Sequence, residues 1–169
     1  MGAAVAGGAC LEGEAGGMKL RPYQPEDREA CLSVFDSNVP RFFTPPERDK
    51  FDGFLDRLPG RYAVVCDDEG RVVGCGGLAP TVEDPRIATL TWGMVHASLH
   101  GKGYGRALTE GRLAWLSEMP EIERVRIDTS HLTEDFYARR GFRTYNRIPD
   151  HYREGLHRCD MELVVADLR

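Results

Sequence analysis

The sequence predicts one domain of the α/β (α+β) class that is built on a mixed β-sheet. Three observations support this prediction: strand-like and helix-like runs alternate from Met18 onward, a polar turn joins two neighbouring β-rich runs, and a glycine-rich turn joins a strand to an amphipathic helix. The 169 residues suit one domain, which at this size buries roughly 70% of the surface that its unfolded chain exposes. The fold therefore needs no disulfide or metal to hold it together.

The N-terminal residues differ in composition from the rest of the chain. Residues 1–17 are rich in glycine, alanine and glutamate, and they lack the basic start and the sustained apolar stretch of a secretory signal or transit peptide. They are expected to form a disordered tail, and residues 18–169 are expected to form the domain. Translation from Met1 and translation from Met18 both fit the sequence.

The domain begins with a predicted strand and two predicted helices. Met18–Pro22 is strand-like, and apolar residues at helical spacing predict a helix over Glu26–Asp36. A second helix is predicted from Pro45 to Leu58, because proline favours the first helical turn and Pro59-Gly60 ends the pattern.

The middle of the chain contains three predicted strands and a long helix. The turn residues Asp67–Gly70 separate two β-rich runs, Tyr62–Cys66 and Val72–Leu78, and this arrangement predicts a hairpin. A further strand is predicted over Ile87–Val95, and a helix from about Gly105 to Glu118 follows the glycine-rich turn. The apolar face of this helix is formed by Leu108, Leu113, Leu116 and Met119.

Shorter elements are predicted for the last third of the chain. They are a strand at Val125–Asp128, a helix at Thr133–Arg140, and strands at Phe142–Arg147 and Met161–Val165. Hairpins combined with one strand-turn-helix-strand unit are typical of a mixed sheet.

Composition and charge exclude several classes of protein. The net charge of -5 lacks the basic surplus of proteins that bind nucleic acid, and no stretch approaches the ~20 apolar residues of a membrane span. The five cysteines include no Cys-x-x-Cys pair, so neither a disulfide framework nor a zinc site is indicated. We therefore expect no nucleic-acid, membrane or metal partner, and we predict a cytoplasmic protein with reduced thiols, of which Cys66 and Cys75 are buried and inert.

The turn His100–Arg106 is the main functional feature of the sequence. It lies between a strand and a helix, so its backbone amides would point toward the positive end of that helix, where a pyrophosphate is stabilised. Its three alternating glycines permit positive φ angles and a close approach of phosphate oxygens. Two other phosphate-binding motifs do not fit: a P-loop needs Ser or Thr directly after its lysine, where this chain has Gly103, and the dinucleotide fingerprint needs Gly-x-Gly-x-x-Gly.

The strand, turn and helix together resemble the GCN5-related N-acetyltransferase (GNAT) family. Its motif Arg/Gln-x-x-Gly-x-Gly/Ala matches at Gly103–Gly105, and His100 stands where the family has Arg or Gln. Trp92–His96 resembles the end of the family's fourth strand, which hydrogen-bonds the pantetheine arm and polarises the thioester carbonyl through a backbone N–H. Met94 and Val95 are the matching residues.

A second segment resembles the family motif Asn-x-x-Ala-x-x-Leu-Tyr-x-x-x-Gly-Phe. Tyr137, Gly141 and Phe142 match it, and Ser130 and Phe136 replace the asparagine and the leucine. This segment follows the glycine turn across one helix and one strand, as the order of elements in the family requires. The resemblance thus extends over residues 18–169 as one domain, and it implies a mostly antiparallel central sheet with helices on both faces.

The resemblance implies an N-acetyltransferase that moves an acetyl group from acetyl-CoA, its co-substrate, to a primary amine of a small molecule or peptide. Tyr137 is the expected acid that protonates the CoA sulfur, and Val95 is the expected catalytic backbone donor. The residues expected to bind the cofactor are Met94, Val95, His100, Gly101, Lys102, Gly103, Tyr104, Gly105, Arg106, Ser130, Phe136 and Tyr137.

The general base, the acceptor and the oligomeric state stay open at this level. The candidates for the base are His96, Glu83, Asp84, Asp128 and a chain of water molecules. The resemblance implies that the acceptor pocket comes from residues 35–46, with the segment 41–43 as candidate contacts. A catalytically silent acyl-CoA-binding sensor is the alternative function, and both a monomer and a homodimer fit the sequence.

Overall fold

The computed structural model describes residues 18–168, and the predicted disordered tail lies outside them. The elements in chain order are β1 (Lys19–Pro22), α1 (Arg28–Ser37), α2 (Glu47–Leu55), β2 (Arg61–Cys66), β3 (Val72–Pro80), β4 (Ile87–Val95), α3 (Tyr104–Ala114), β5 (Arg124–Ser130), α4 (Glu134–Ala138), β6 (Arg143–Arg153) and β7 (Leu156–Val164). Short 3-10 helices occupy Pro25–Asp27, Ala97–Leu99, Trp115–Glu118, His131–Thr133 and Val165–Leu168. Within residues 18–168, no helix has the length and apolar character needed to cross a membrane.

The strands form one mixed sheet in the order β1-β2-β3-β4-β5-β7-β6. Neighbouring strands are antiparallel except β4 and β5, which are parallel. Helices α1 and α2 pack on one face of the sheet, and α3 and α4 pack on the other. The predicted fold class, with its mostly antiparallel sheet between two layers of helices, is confirmed.

The two layers of the core differ in composition. On the α1/α2 face the core is largely aromatic, with Phe35 and Phe51 completely buried. On the α3/α4 face it is mainly aliphatic, and Val125, Met161 and Leu163 are almost completely buried. Burial of each such side chain stabilises the fold by about 1.5–3 kcal/mol, so both layers hold the sheet firmly in place.

The structure corrects the predicted bounds of the C-terminal hairpin. Strands β6 and β7 extend well beyond the predicted Phe142–Arg147 and Met161–Val165 and meet at a turn with Gly155 at φ 78°. The outer half of β6 has no apolar alternation, because it is an edge strand whose residues are mostly exposed, and it contains Pro149, which only an edge strand tolerates.

Two features of β4 prepare the site. Strands β4 and β5 pair only over residues 87–89 and 124–126, and beyond this point they diverge and leave a gap in the sheet. The register of β4 against β3 also shifts between Cys75 and Gly77, so that Trp92 and Gly93 form a β-bulge there. Trp92 has φ 38° at this bulge, a backbone conformation that non-glycine residues rarely adopt.

Candidate active site

A cavity of about 1010 Å³ occupies the gap between the diverging strands. Its walls are formed by β4 residues 89–95, β5 residues 127–130, the start of α3, the loop between α1 and α2, and Tyr152 of β6. A smaller cavity of about 440 Å³ adjoins it, between α3 and α4. The larger cavity connects the glycine turn on one side with the α1–α2 loop on the other.

The structure brings most of the predicted cofactor-binding residues to this cavity. The residues that line it are Met94, Val95, His100, Gly101, Gly103, Gly105, Arg106, Ser130, Phe136 and Tyr137. Lys102 and Tyr104 belong to the same turn but lie outside the cavity wall.

The glycine turn has the backbone conformation that the sequence predicts. Gly101 and Gly103 have φ angles of 77° and 90°, and Gly103 is the N-cap of α3. A Cβ atom at Gly101 would meet no other atom, so positive φ, and not lack of space, requires glycine there. Gly101, Gly103 and Gly105 line the cavity at the N-terminal end of α3, and a helix N-terminus suits an anion such as a pyrophosphate. Arg106 lines this region, although its guanidinium also pairs with Glu110 at 2.7 Å.

The last residue of β4 presents its backbone to the gap. The N–H of His96 donates to the Val73 carbonyl oxygen on β3 at 2.8 Å, and because successive peptide groups face opposite edges of a strand, the Val95 groups face away from β3. The Val95 carbonyl oxygen accepts hydrogen bonds from Asn38 Nδ2 and from His100 Nε2, each at 2.9 Å. The Val95 N–H, like the carbonyl oxygen, therefore faces away from β3 and makes no hydrogen bond to that strand.

His100 connects the turn to the strand. Its Nε2 donates to Val95, and its ring lies edge-on to Phe42, with the ring centroids 5.1 Å apart. This hydrogen bond occupies one ring nitrogen and leaves Nδ1 for the predicted phosphate contact.

Tyr137 lies on the opposite wall, on α4. Its ring is buried and packs edge-on against Phe136 and Phe142 at 5.0 and 5.6 Å. Within residues 18–168 its hydroxyl has no hydrogen-bond partner, so it is available to a ligand in the cavity. Phe136 in turn carries the Arg140 guanidinium over its ring at 3.6 Å, and burial lowers the pKa of Arg140.

The side of the cavity that faces the α1–α2 loop is the candidate acceptor side. Phe42 and Phe43 line it, as predicted, whereas Arg41 does not. Among the candidate bases, only Asp128 lines the cavity. Asp128 also lies near Tyr152, whose pKa is raised mainly by burial and further by the Asp128 charge.

The three other side chains considered as a base lie elsewhere. His96 Nδ1 bonds to the Ser98 hydroxyl at 2.8 Å, Glu83 is exposed in the loop before β4, and Asp84 pairs with Arg86 at 3.0 Å. None of them lines the cavity.

Comparison with known proteins identifies the family. A model of the acetyltransferase (GNAT) family matches residues 28–142, which is most of the chain. The chain belongs to the GNAT family. A comparison with curated protein sequences gives no significant match.

Solved structures of GNAT proteins share this fold at low sequence identity. An acetyltransferase of the GNAT family from Desulfovibrio desulfuricans aligns with a TM-score of 0.74 at 23% identity, over 88% of this chain and 99% of that chain. A ribosomal-protein-alanine N-acetyltransferase from Escherichia coli aligns with a TM-score of 0.72 at 14% identity, over 88% and 94%. A spermidine N-acetyltransferase from Vibrio cholerae aligns with a TM-score of 0.69 at 14% identity, over 89% and 95%. At these identities the likeness shows the fold alone.

Sequence reasoning missed three residues of the GNAT cavity. Asn38 is buried and bonds to both Val34 and Val95, and nothing in the sequence distinguishes it from an ordinary loop residue. Tyr152 lies on the part of β6 that was not predicted. Arg112 did carry a signal, because it follows Leu108 by four residues and so falls on the apolar stripe of its helix.

Proposed function

We propose that this GNAT protein is an acetyl-CoA-dependent N-acetyltransferase that acetylates a primary amine of a small molecule or peptide by direct attack in a ternary complex. One observation supports this most strongly. The Val95 N–H, the Tyr137 side chain and the Asp128 carboxylate line a single cavity that reaches from the glycine turn to the α1–α2 loop. A donor and an acceptor entering from these two sides would meet between the three groups.

The cavity suits acetyl-CoA as the co-substrate. The open turn at Gly101 and Gly103 suits the pyrophosphate, with Arg106 and Arg140 as nearby positive charges. The unpaired edge of β4 beyond residue 89 offers backbone groups to the pantetheine amides. Bound there, acetyl-CoA supplies an activated acyl group.

The residues of this chain would promote the transfer in three ways. The amine must first lose its proton, which costs on the order of 4–5 kcal/mol near pH 7 for an ordinary primary amine, and Asp128 is positioned to accept it through water. The Val95 N–H then stabilises the negative charge on the carbonyl oxygen as the new C–N bond forms. When the C–S bond breaks and its electron pair stays on sulfur, the Tyr137 hydroxyl donates the proton that completes the thiol. The nitrogen releases its second proton as the amide forms, and that proton returns through water to the Tyr137 phenolate.

The acceptor side favours a cationic amine that has an apolar part. Glu47 and Asp128 contribute two carboxylates to the cavity wall, against one ammonium group from Lys50 of α2. Phe42 and Phe43 contribute aromatic surface. The fold does not select between acceptors, because the spermidine enzyme and the ribosomal-protein enzyme resemble this chain about equally.

We also propose a cytoplasmic location for this protein. Cys31, Cys66, Cys75 and Cys159 are free and buried, as expected where thiols stay reduced, and burial raises the pKa of the Cys66 thiol. A monomer and a homodimer both fit the sequence, and sedimentation analysis of the purified protein distinguishes them.

Titration calorimetry with acetyl-CoA and with ATP, followed by thiol release with a panel of amines, tests the function. The panel should contain polyamines, amino acids, aminoglycosides and peptides with free N-termini. We expect acetyl-CoA to bind, ATP not to compete, and at least one amine to release CoA. Binding without release would favour the silent sensor, and no binding of acetyl-CoA would refute the proposal.

Tyr137→Phe separates catalysis from binding. The variant keeps the buried ring but removes the proton donor, so we expect kcat to fall about 100-fold with little change in the affinity for acetyl-CoA. Tyr145→Phe, on the exposed edge strand β6, is the matched control and should retain full activity. Equal activity of the two variants would exclude Tyr137 as the acid.

A further inference from the structure

Arg112 is a buried arginine without a counter-charge. Its side chain is 1% exposed, although it lies on α3 at the wall of the GNAT cavity. Its two contacts are long: NH1 to the Gly77 carbonyl oxygen and NH2 to the Thr109 hydroxyl, each at 3.4 Å. Within residues 18–168 its Nε has no partner, and no carboxylate pairs with the guanidinium.

A second arginine shows what ordinary pairing looks like in this chain. Arg21 on β1 makes two hydrogen bonds of 2.8 Å to the buried carboxylate of Asp27. Removal of a charge from water costs several kcal/mol unless good hydrogen bonds and an opposite charge compensate it. Arg21 has such compensation and its side chain is also 42% exposed, whereas Arg112 has neither an opposite charge nor contact with water.

The Arg112 guanidinium lies against the β4 bulge, on its α3 side. Glycines on both sides of the bulge provide the space: a Cβ atom at Gly93 would come within 2.6 Å of Arg112 NH1, and one at Gly76 within 3.0 Å. The same bulge is part of the segment of β4 that lines the cavity. The positive charge is therefore directly behind the backbone that faces the ligand.

We propose that Arg112 promotes acetyl transfer electrostatically, because it lies against the β4 bulge and places an uncompensated positive charge behind the thioester site. This inference rests on the proposed function. A charge in a site shielded from water acts strongly over a few ångströms. The negative charge that develops on the thioester oxygen, and then on the departing sulfur, supplies the partner that Arg112 lacks in the chain itself. The charge polarises the carbonyl of the bound thioester and acts most strongly when the oxygen becomes negative, so it lowers the barrier more than it tightens binding.

Arg112→Met tests this, because methionine is unbranched and apolar. Replacement of a buried unpaired charge by an apolar side chain is neutral or stabilising, so we expect the melting temperature of the ligand-free variant to stay the same or to rise. We expect kcat to fall about 100-fold, the size of effect seen for loss of one oxyanion donor, while the Kd for acetyl-CoA changes less than about threefold. Arg112→Lys keeps the charge, so it should retain much of the kcat that Arg112→Met loses.

Arg21→Met is the matched control. It removes an arginine that has a partner and leaves the Asp27 carboxylate buried and unpaired, so its melting temperature should fall. Its kcat should equal that of the wild type, because Arg21 lies outside the cavity wall. The two variants should therefore show opposite effects.

A spectroscopic readout measures the polarisation directly. Infrared difference spectra with acetyl-CoA labelled at the carbonyl carbon should show a lower carbonyl stretching frequency on wild-type protein than in water. The frequency should return toward the free value on Arg112→Met but not on Arg21→Met.

Three results would overturn the inference. A marked fall in the stability of Arg112→Met would show that the guanidinium has a structural role, and an unchanged kcat and carbonyl frequency would show that its charge does not act on the ligand. Failure of the wild-type protein to bind acetyl-CoA would refute the inference together with the proposed function, whereas the first two results leave the proposed function intact.

Discussion

The two sides of the β4 bulge are built from opposite chemistry. On the α1/α2 side, the Trp92 ring packs against Phe51 at 5.2 Å and Phe35 at 6.4 Å, and the Tyr62 hydroxyl donates to the Trp92 carbonyl oxygen at 2.8 Å. On the α3 side, the neighbouring Gly93 faces the underbonded guanidinium of Arg112. The first side is apolar and closely packed, and the second carries a positive charge that has no counter-charge within residues 18–168.

Because of this difference, neighbouring residues of the bulge contribute to different properties: the aromatic side to stability and the charged side to function. The aromatic side stabilises the unfavourable φ of Trp92, because packing and a hydrogen bond hold the residue in place. The charged side gains little stability from its long contacts, and its charge remains available to a ligand. Substitutions on the aromatic side should therefore change folding first, and substitutions on the charged side should change turnover first.

Phe35→Ala should have the largest effect, and it is a change in stability. Phe35 is completely buried and stacks on Phe43 at 4.9 Å, so truncation leaves a cavity in the aromatic layer and should cost about 4 kcal/mol of unfolding free energy. Urea denaturation measures this loss. Val82→Ala, at a side chain that is 97% exposed, is the control and should be neutral. A loss below about 1 kcal/mol for Phe35→Ala would contradict the assignment of stability to this side.

Gly93→Ala should have an intermediate effect, which falls on turnover. The new methyl group would displace the guanidinium, which is the flexible end of its side chain, so the fold should persist while kcat falls about tenfold. The double variant with Arg112→Met provides a thermodynamic cycle. If the methyl group acts through Arg112, it should cause almost no further loss in that background. Additive losses in kcat would show that Gly93 acts independently of Arg112.

Tyr62→Phe should have the smallest effect. It removes the hydrogen bond to the Trp92 carbonyl but keeps the ring, so the expected cost is about 1 kcal/mol, or a melting temperature lower by about 2–4 °C. Turnover should change less than about threefold, because the aromatic rings still hold the bulge. A large loss of kcat at unchanged stability would show that the two sides are not separate.

The elements that carry strong local signals could be predicted from the sequence. Ile87–Val95 was predicted with the bounds that the structure has, because β-branched residues and flanking turns define it clearly. The positive φ of Gly101 and Gly103 follows from the alternation of glycines before an amphipathic helix. The GNAT family and the fold class could be predicted from the same segment together with Tyr137–Phe142.

Features that depend on distant contacts could not be predicted. Asn38 reaches the site only because α1 packs across β4. Its partner Val95 is fifty-seven residues away in sequence. The outer part of β6 lacks an apolar pattern because one of its edges is unpaired. The bulge at Trp92 depends on register against β3, which local sequence does not reveal.

Because β4 and β5 pair over only a few residues, a ligand bound between them would stabilise the sheet itself. The seam over residues 87–89 and 124–126 is the only ladder between β1–β4 and β5–β7 in the described sheet. A molecule that hydrogen-bonds along the open edge of β4 while it packs on β5 and α4 would connect the two halves of the sheet for as long as it is bound. Binding would then slow the hydrogen exchange of backbone amides in the strands on both sides of the gap. Release of the product would weaken the connection between the two halves of the sheet at the place where the next donor enters.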